Sequence, residues 1–144
     1  MLTATRPAKA RNTTTAPSPI VATYGPAVGR LLTAPLFLLS GIAKLSDPAP
    51  FLAYIASVGL PFPTLALGIA ILVELLGGAL LVVGYKTRYV AAIIAGFTLA
   101  TALVFHTNLA DQTEFLFFFK NLAITGGLLH VVAFGGGPFS IDRR

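Results

Sequence analysis

The run Thr64–Val83, TLALGIAILVELLGGALLVV, carries one ionisable residue, Glu74, near its middle. An α-helix rises about 1.5 Å per residue and the hydrocarbon core of a bilayer is about 30 Å thick, so the run is long enough to cross and leaves Glu74 close to the midplane. A carboxylate at that depth costs roughly 2.5–3.5 kcal/mol on insertion scales, so it is expected to face protein, trapped water or a partner charge.

The composition around this run agrees with a membrane setting. Of 144 residues, 56% are hydrophobic and 10% charged, against about 25% charged in an ordinary globular domain. The length suits one domain. There is no cysteine, which excludes disulfides, thiolate metal sites, Cys-ligated clusters and CxxCH haem attachment, so any redox chemistry needs a bound cofactor. The net charge of +5 is spread over the ends of apolar runs, a pattern of membrane topology and not of nucleic-acid binding.

Working outward, residues 1–25 read as a mobile Thr-, Pro- and Ala-rich tail without a signal-peptide apolar region. Residues 26–144 form the membrane domain. Its first span runs from about Val28 to Leu45, with Arg30 at its start, Lys44 at its end and Pro35 as an expected kink. The stretch Ser46–Pro63 is too broken by proline to cross, and places Phe51, Leu52, Tyr54 and Ile55 on an interfacial turn. The second span is Thr64–Val83. The short loop GYKTR makes the third, about Tyr89–Phe105, its antiparallel neighbour. The fourth runs from about Phe115 to Phe134 and stops at Gly135, Gly136, Gly137 and Pro138. The fold class is therefore all-α, a polytopic four-transmembrane-helix bundle with an interfacial segment between its first two spans.

Orientation follows from short-loop Lys and Arg. Arg6, Lys9, Arg11, Arg30, Lys86, Arg88, Arg143 and Arg144 fall on one side, whereas the third loop carries Asp111 and Glu114 without a basic residue. Both termini are thus expected in the cytoplasm.

Helical rise sorts the polar residues by depth. Lys44 and His106 fall at outer helix ends, Lys120 and Asn121 about 8 Å below one, and Glu74 about 15 Å below another. Ala66, Ala70, Glu74 and Gly78 recur every fourth residue, so a stripe of small side chains turns Glu74 into the bundle. Ala92, Gly96 and Ala100 on the third span, and Lys120, Ala123, Gly127 and His130 on the fourth, form comparable faces. The sharp expectation is an outer-half polar pocket of Lys44, Glu74, His106 and Lys120, with Glu74 and Lys120 paired and His106 exchanging a proton. Such a pocket suits a quinone, whose headgroup takes hydrogen bonds and protons while its tail needs apolar access.

Plainer readings stand beside this one. Glu74 and Lys120 can be a structural ion pair fixing helix register. Arg30 and Lys44, taken singly, can snorkel to headgroups. His106 and His130 can be ordinary interfacial residues, the Gly and Ala stripes packing alone, and the aromatic run Phe115–Phe119 lipid-facing. The two histidines lie about 20 Å apart in depth, which argues against bis-histidine haem. No HExxH, GxSxG or GxxxxGK[ST] motif occurs, so no metal site, hydrolase or nucleotide site is expected.

Taken together, Arg30, FLLSGIAKL ending in Lys44, YIASVGLP, ELLGGALLVVGYKTR from Glu74, FTLATALVFH ending at His106, and FFKNLAITGGLL around Lys120 and Asn121 resemble the DoxX family, with the likeness running from about Arg30 to Asp142. The resemblance implies a small four-helix bacterial inner-membrane protein related to the membrane component of thiosulfate:quinone oxidoreductase. It implies a quinone or similar redox-active lipid as cofactor. On that reading Glu74 and His106 handle protons, Lys44 and Lys120 polarise headgroup oxygens, and Asn121 holds Lys120 or the ligand. With no chromophore of its own, the chain needs an electron donor, a partner subunit or a bound reduced cofactor. Membrane lipids are the other expected partners, no nucleic acid is, and the small-residue stripe of the third span permits a homo-oligomer. The alternative class is a non-catalytic scaffold or assembly protein, or a small-molecule carrier, whose buried charges are structural or bind solute.

Overall fold

The structure is a computed structural model and describes residues 18–142. The basic residues Arg6, Lys9, Arg11, Arg143 and Arg144, and the first seventeen residues of the expected tail, lie outside the described residues. Five helices follow in chain order: α1 (Pro19–Ser46), α2 (Ala49–Ser57), α3 (Pro63–Val83), α4 (Thr87–Phe105) and α5 (Gln112–Phe134). All but α2 are long and apolar enough to cross a membrane, which gives the expected all-α arrangement of four spans and one short segment.

Local sequence sets the ends. Ser18 accepts from Val21 N–H at 3.4 Å and Pro19 occupies the first turn, where its missing N–H is no loss. Residues 19–25, read from the sequence as tail, are therefore helical, and α1 runs unbroken through both Pro26 and Pro35. Pro48 and Pro50 open α2, and Phe62, in the left-handed region at φ 56°, turns the chain into α3. Asp111 starts α5 by accepting from the N–H groups of Thr113 and Glu114 at 2.8 and 3.0 Å. Gly84 ends α3 at φ 70°. A Cβ there would sit 2.5 Å from Arg30 Nη1 and Ser140 Cβ, so the site needs glycine for space as well as for conformation.

Packing runs α1 on α3, α3 on α4 and α4 on α5, with α2 laid against α3. Exposed Leu32, Leu39, Leu65, Leu72, Ile93, Leu103, Leu116 and Leu129 cover the outside of the four long helices, a surface for lipid and not for water. Inside, Ala34, Phe37, Leu81, Val90, Ala91, Ile94, Ala95 and Leu128 form a tight core in the half of the bundle next to the α3–α4 turn. The opposite half encloses a cavity.

The α3 stripe packs as expected: Ala70, Glu74 and Gly78 are buried, and a Cβ on Gly78 would lie 2.9 Å from Leu38 Cγ of α1. The faces expected on the last two spans are corrected. Ala92, Gly96 and Ala100 are exposed, and α4 turns Ala91, Ile94, Ala95, Thr98 and Ala102 inward instead. On α5, Ala123, Gly127 and His130 are exposed, and the inward positions are Thr125 and Leu128 beside half-buried Asn121. Polar side chains mark these inner faces because the lipid side offers a hydroxyl or amide no partner.

Candidate functional site

Five of the residues singled out from sequence, Lys44, Glu74, His106, Lys120 and Asn121, line one cavity of about 480 Å³. Its apolar walls include Phe37, Ile55, Ile69, Phe97, Phe105 and Ile124. Every helix contributes. The segment α2, expected to rest only on the membrane surface, covers the end of the cavity with Phe51, Tyr54 and Ile55, and the Tyr54 hydroxyl donates to the Phe105 carbonyl at 3.1 Å.

At the deep end, Lys44 Nζ donates to both carboxylate oxygens of Glu74 at 2.9 Å and to Ser40 Oγ at 2.6 Å, while Ser40 donates to Glu74 Oε1 at 3.1 Å. The lysine and glutamate side chains are 16% and 7% exposed, so this pair is enclosed and Lys44 does not snorkel to headgroups. The expected Glu74–Lys120 pair is thereby corrected, since the partner is Lys44. Helical side chains lean toward their own N-terminus. In α1 that lean carries Lys44 back one turn to Ser40 and down to Glu74. In α5, which runs the opposite way, it carries Lys120 outward, where Nζ sits 4.2 Å from the Phe117 ring centroid.

The cavity mouth has a second polar cluster. His106 ends α4, and its Nδ1 lies 2.7 Å from Glu114 Oε2 in the first turn of α5. Phe117 stands between His106, at 5.3 Å between ring centroids, and Lys120, so the aromatic run is not wholly given over to lipid. Burial, and then the charge of Glu114, raises the Tyr54 hydroxyl above its ordinary pKa of 10.0. Asn121, expected to hold Lys120 or the ligand, donates to Thr101 Oγ1 at 3.4 Å and so joins α5 to α4 instead of bonding Lys120.

Arg30 and His130 stand apart from the cavity. Arg30 is 1% exposed and donates to the carbonyls of Leu81, Val82 and Phe139 at 2.7–2.9 Å. It is not snorkelling: it bonds the last carbonyls of α3 and ties the C-terminal segment to the bundle. That segment is fixed further by Asp142, whose carboxylate accepts from Lys86 and Thr87 N–H at 2.6 and 2.7 Å and so caps α4 from a distance in sequence. The nearby Thr87 hydroxyl first, then the backbone hydrogen bonds from Thr87 and Lys86 and the charge of Arg30, outweigh partial burial and hold the Asp142 carboxyl below its ordinary value. His130 is exposed, with Nδ1 3.0 Å from the Gly126 carbonyl of its own helix.

Sequence reasoning missed Ser40, Glu114 and the capping role of Asp142. Ser40 was signalled by its place one turn before Lys44. Glu114 had been read only as a marker of topology, and Asp142 gives no local signal because its partners lie 55 and 56 residues away. Among the described residues, no group of three or more His, Asp or Glu side chains gathers as metal ligands do.

Comparison with known proteins places this geometry in a family. The model of the family described as DoxX matches residues 25–107, more than half of the chain. The match ends before α5, so it takes in Lys44, Glu74 and His106 but not Lys120 or Asn121. Inner membrane protein YqjF of Escherichia coli (strain K12) is 40% identical over 119 residues, which cover 83% of this chain and 90% of the relative. Inner membrane protein YphA of the same organism is 33% identical over 122 residues, covering 81% and 87%. No solved structure matches the chain. With four helices fit to span a membrane, two inner-membrane relatives and the family match, this chain is an integral, multi-pass inner-membrane protein and belongs to the DoxX family.

Proposed function

We propose that the cavity binds the headgroup of a quinone or similar redox-active lipid, and that the protein serves a membrane oxidoreductase complex as its quinone-site or anchoring subunit. The observation that carries this reading is the convergence of Lys44, Glu74, His106, Lys120 and Asn121 on one largely apolar cavity within a membrane bundle. Its volume falls in the range of about 300–1,000 Å³ typical of small-molecule sites, and apolar walls with a few placed polar groups suit an amphiphilic ring. A bound quinone would supply two-electron, two-proton redox chemistry.

The chain's own residues then divide the work. Lys44 is neutralised by Glu74, so the cationic group left to polarise a ligand oxygen is Lys120, with His106 beside it at the mouth. Ser40 and the Lys44–Glu74 pair offer a donor and an acceptor at the deep end. Phe51, Phe97 and Phe105 supply flat apolar faces, and exposed Leu36 and Lys120, both lining the cavity, mark where it reaches the protein surface. Cytoplasmic termini remain part of the proposal: Lys86 and Arg88 lie in the turn opposite the cavity end, on the side where basic loops are retained.

One observation favours the scaffold reading: Lys44, Ser40 and Glu74 satisfy one another without a ligand. Titration of the purified protein in nanodiscs with a quinone separates the two. The proposal predicts saturable binding by wild type and its loss in folded Glu74→Gln and His106→Ala. A folded wild-type protein that binds no quinone would return the chain to the scaffold or carrier class, and solute flux in liposomes without quinone would identify a carrier.

A further inference from the structure

His106 faces two environments. It lines the cavity, while its Nδ1 lies 2.7 Å from Glu114 Oε2. Their side chains are 16% and 26% exposed, so the carboxylate is the more exposed of the two, in the first turn of α5. Asp111 holds the Glu114 N–H at 3.0 Å, which fixes the first turn of α5 and the position of Glu114 on it. Nε2 of His106 has no hydrogen-bond partner among the described residues. An imidazole that lines a ligand cavity while one of its nitrogens is bonded to a more exposed carboxylate has the connectivity of a proton relay.

We infer that His106 and Glu114 form a proton relay between the aqueous face and the cavity. The inference rests on the proposed quinone site and adds a residue, Glu114, and a direction to it. In one transfer the Glu114 carboxylic acid gives its proton to Nδ1 while the Nε2–H bond breaks toward a reduced ligand oxygen. One proton leaves water and one O–H bond forms on the ligand. The carboxylate then takes a proton from water, and the ring resets by rotating, which turns its protonated nitrogen to the cavity and its free nitrogen to Glu114 with no N–H bond made or broken. Electrons come from outside the relay, in the test from dithionite.

The other ionisable groups around the relay have separate tasks. Tyr54 on α2 donates to the Phe105 carbonyl, Asp111 is occupied capping α5, Lys120 rests on Phe117, and Lys44 and Glu74 are closed on each other. Among the described residues, Glu114 is the ionisable group bonded to His106.

The test has one measurement that needs no ligand and one that does. In ligand-free protein in nanodiscs, nitrogen-15 NMR follows exchange of the His106 ring proton with water, with His130→Gln assigning the signals. The relay predicts exchange about a hundredfold slower in Glu114→Gln than in wild type, at the lower end of the range contributed by a positioned acid–base group. With ubiquinone bound and dithionite as reductant, a pH-indicating dye follows proton uptake. Uptake slows by about a hundredfold in Glu114→Gln, and formate restores it in Glu114→Ala, while quinone affinity stays within about threefold of wild type. A structural clasp would not respond to formate. Unchanged ring-proton exchange and unchanged uptake in a folded Glu114→Gln that binds quinone would overturn the relay alone. A wild-type protein that binds no quinone would overturn the proposed function and the relay with it.

Discussion

Lys44 and Glu74 show how the price of a buried charge is met in this protein: each supplies the other's counter-charge, and Ser40 fills the remaining hydrogen-bond capacity. Removing one partner strands the other. Lys44→Met is therefore expected to lower stability by about 3–5 kcal/mol, and Lys44→Met with Glu74→Met to recover most of it, read as a double-mutant cycle of thermal or denaturant unfolding in detergent. Asp142 gives a second prediction at this scale. Its carboxyl is held below the ordinary value of 3.8 in the folded protein, so its stabilising contribution is complete above that value and is lost as pH falls through the folded value. Asp142→Ala should cost about 1 kcal/mol near neutrality, as loss of a helix cap does, and should flatten the acid limb of the stability profile. The residues that line the cavity were legible: Glu74 stood out as a lone carboxylate in an apolar run, Lys44 and His106 as polar groups near helix ends, and Lys120 and Asn121 as polar groups within a span. Their pairing was not legible. Depth alone cannot tell which lysine reaches Glu74, because the deciding factor is the opposite lean of side chains on antiparallel helices.

Among the elements, α1 and α3 approach closely beside the cavity. A Cβ on Gly41 would lie 2.7 Å from Leu75 Cγ and 3.2 Å from Glu74 Cβ, and one on Gly78 would lie 2.9 Å from Leu38 Cγ. Gly41→Val is accordingly expected to destabilise by roughly 1–3 kcal/mol through overpacking and to weaken any binding that depends on Glu74. Gly96→Ala, at a position with open space around the new methyl, is expected to be neutral or to stabilise by up to about 1 kcal/mol. Thermal unfolding of the two variants checks the contrast. The same helices show where pattern reading succeeds and stops. Span positions follow from hydropathy, and α3 begins within one residue of its expected start, because proline and glycine bracket it. Facing is harder, since both sides of a membrane helix are apolar. The α3 face was legible because Glu74 fixes the phase of its stripe. On α4 and α5 the small residues of the expected stripes are exposed, and the informative signal was Thr98, Thr125 and Asn121.

At the scale of the molecule, the two ends of the bundle differ in kind. One end is locked by Arg30, bonded to Leu81, Val82 and Phe139, and by Asp142 on α4. Arg30→Met, which removes those three bonds, should lower stability on the order of 3 kcal/mol and expose the C-terminal segment to protease before the helices unfold. The other end holds the cavity under α2. The absence of cysteine makes orientation directly testable: with cytoplasmic termini, Asn108→Cys reacts with an impermeant maleimide in intact cells, and Tyr85→Cys reacts only after lysis. The proposed quinone headgroup in the cavity is put to the test by photolabelling in nanodiscs with an azido-quinone. Adducts are expected on cavity-lining residues of α2, α4 and α5, suppressed by excess unlabelled quinone. Adducts confined to the lipid-facing leucines, or cavity adducts that unlabelled quinone does not suppress, would contradict it.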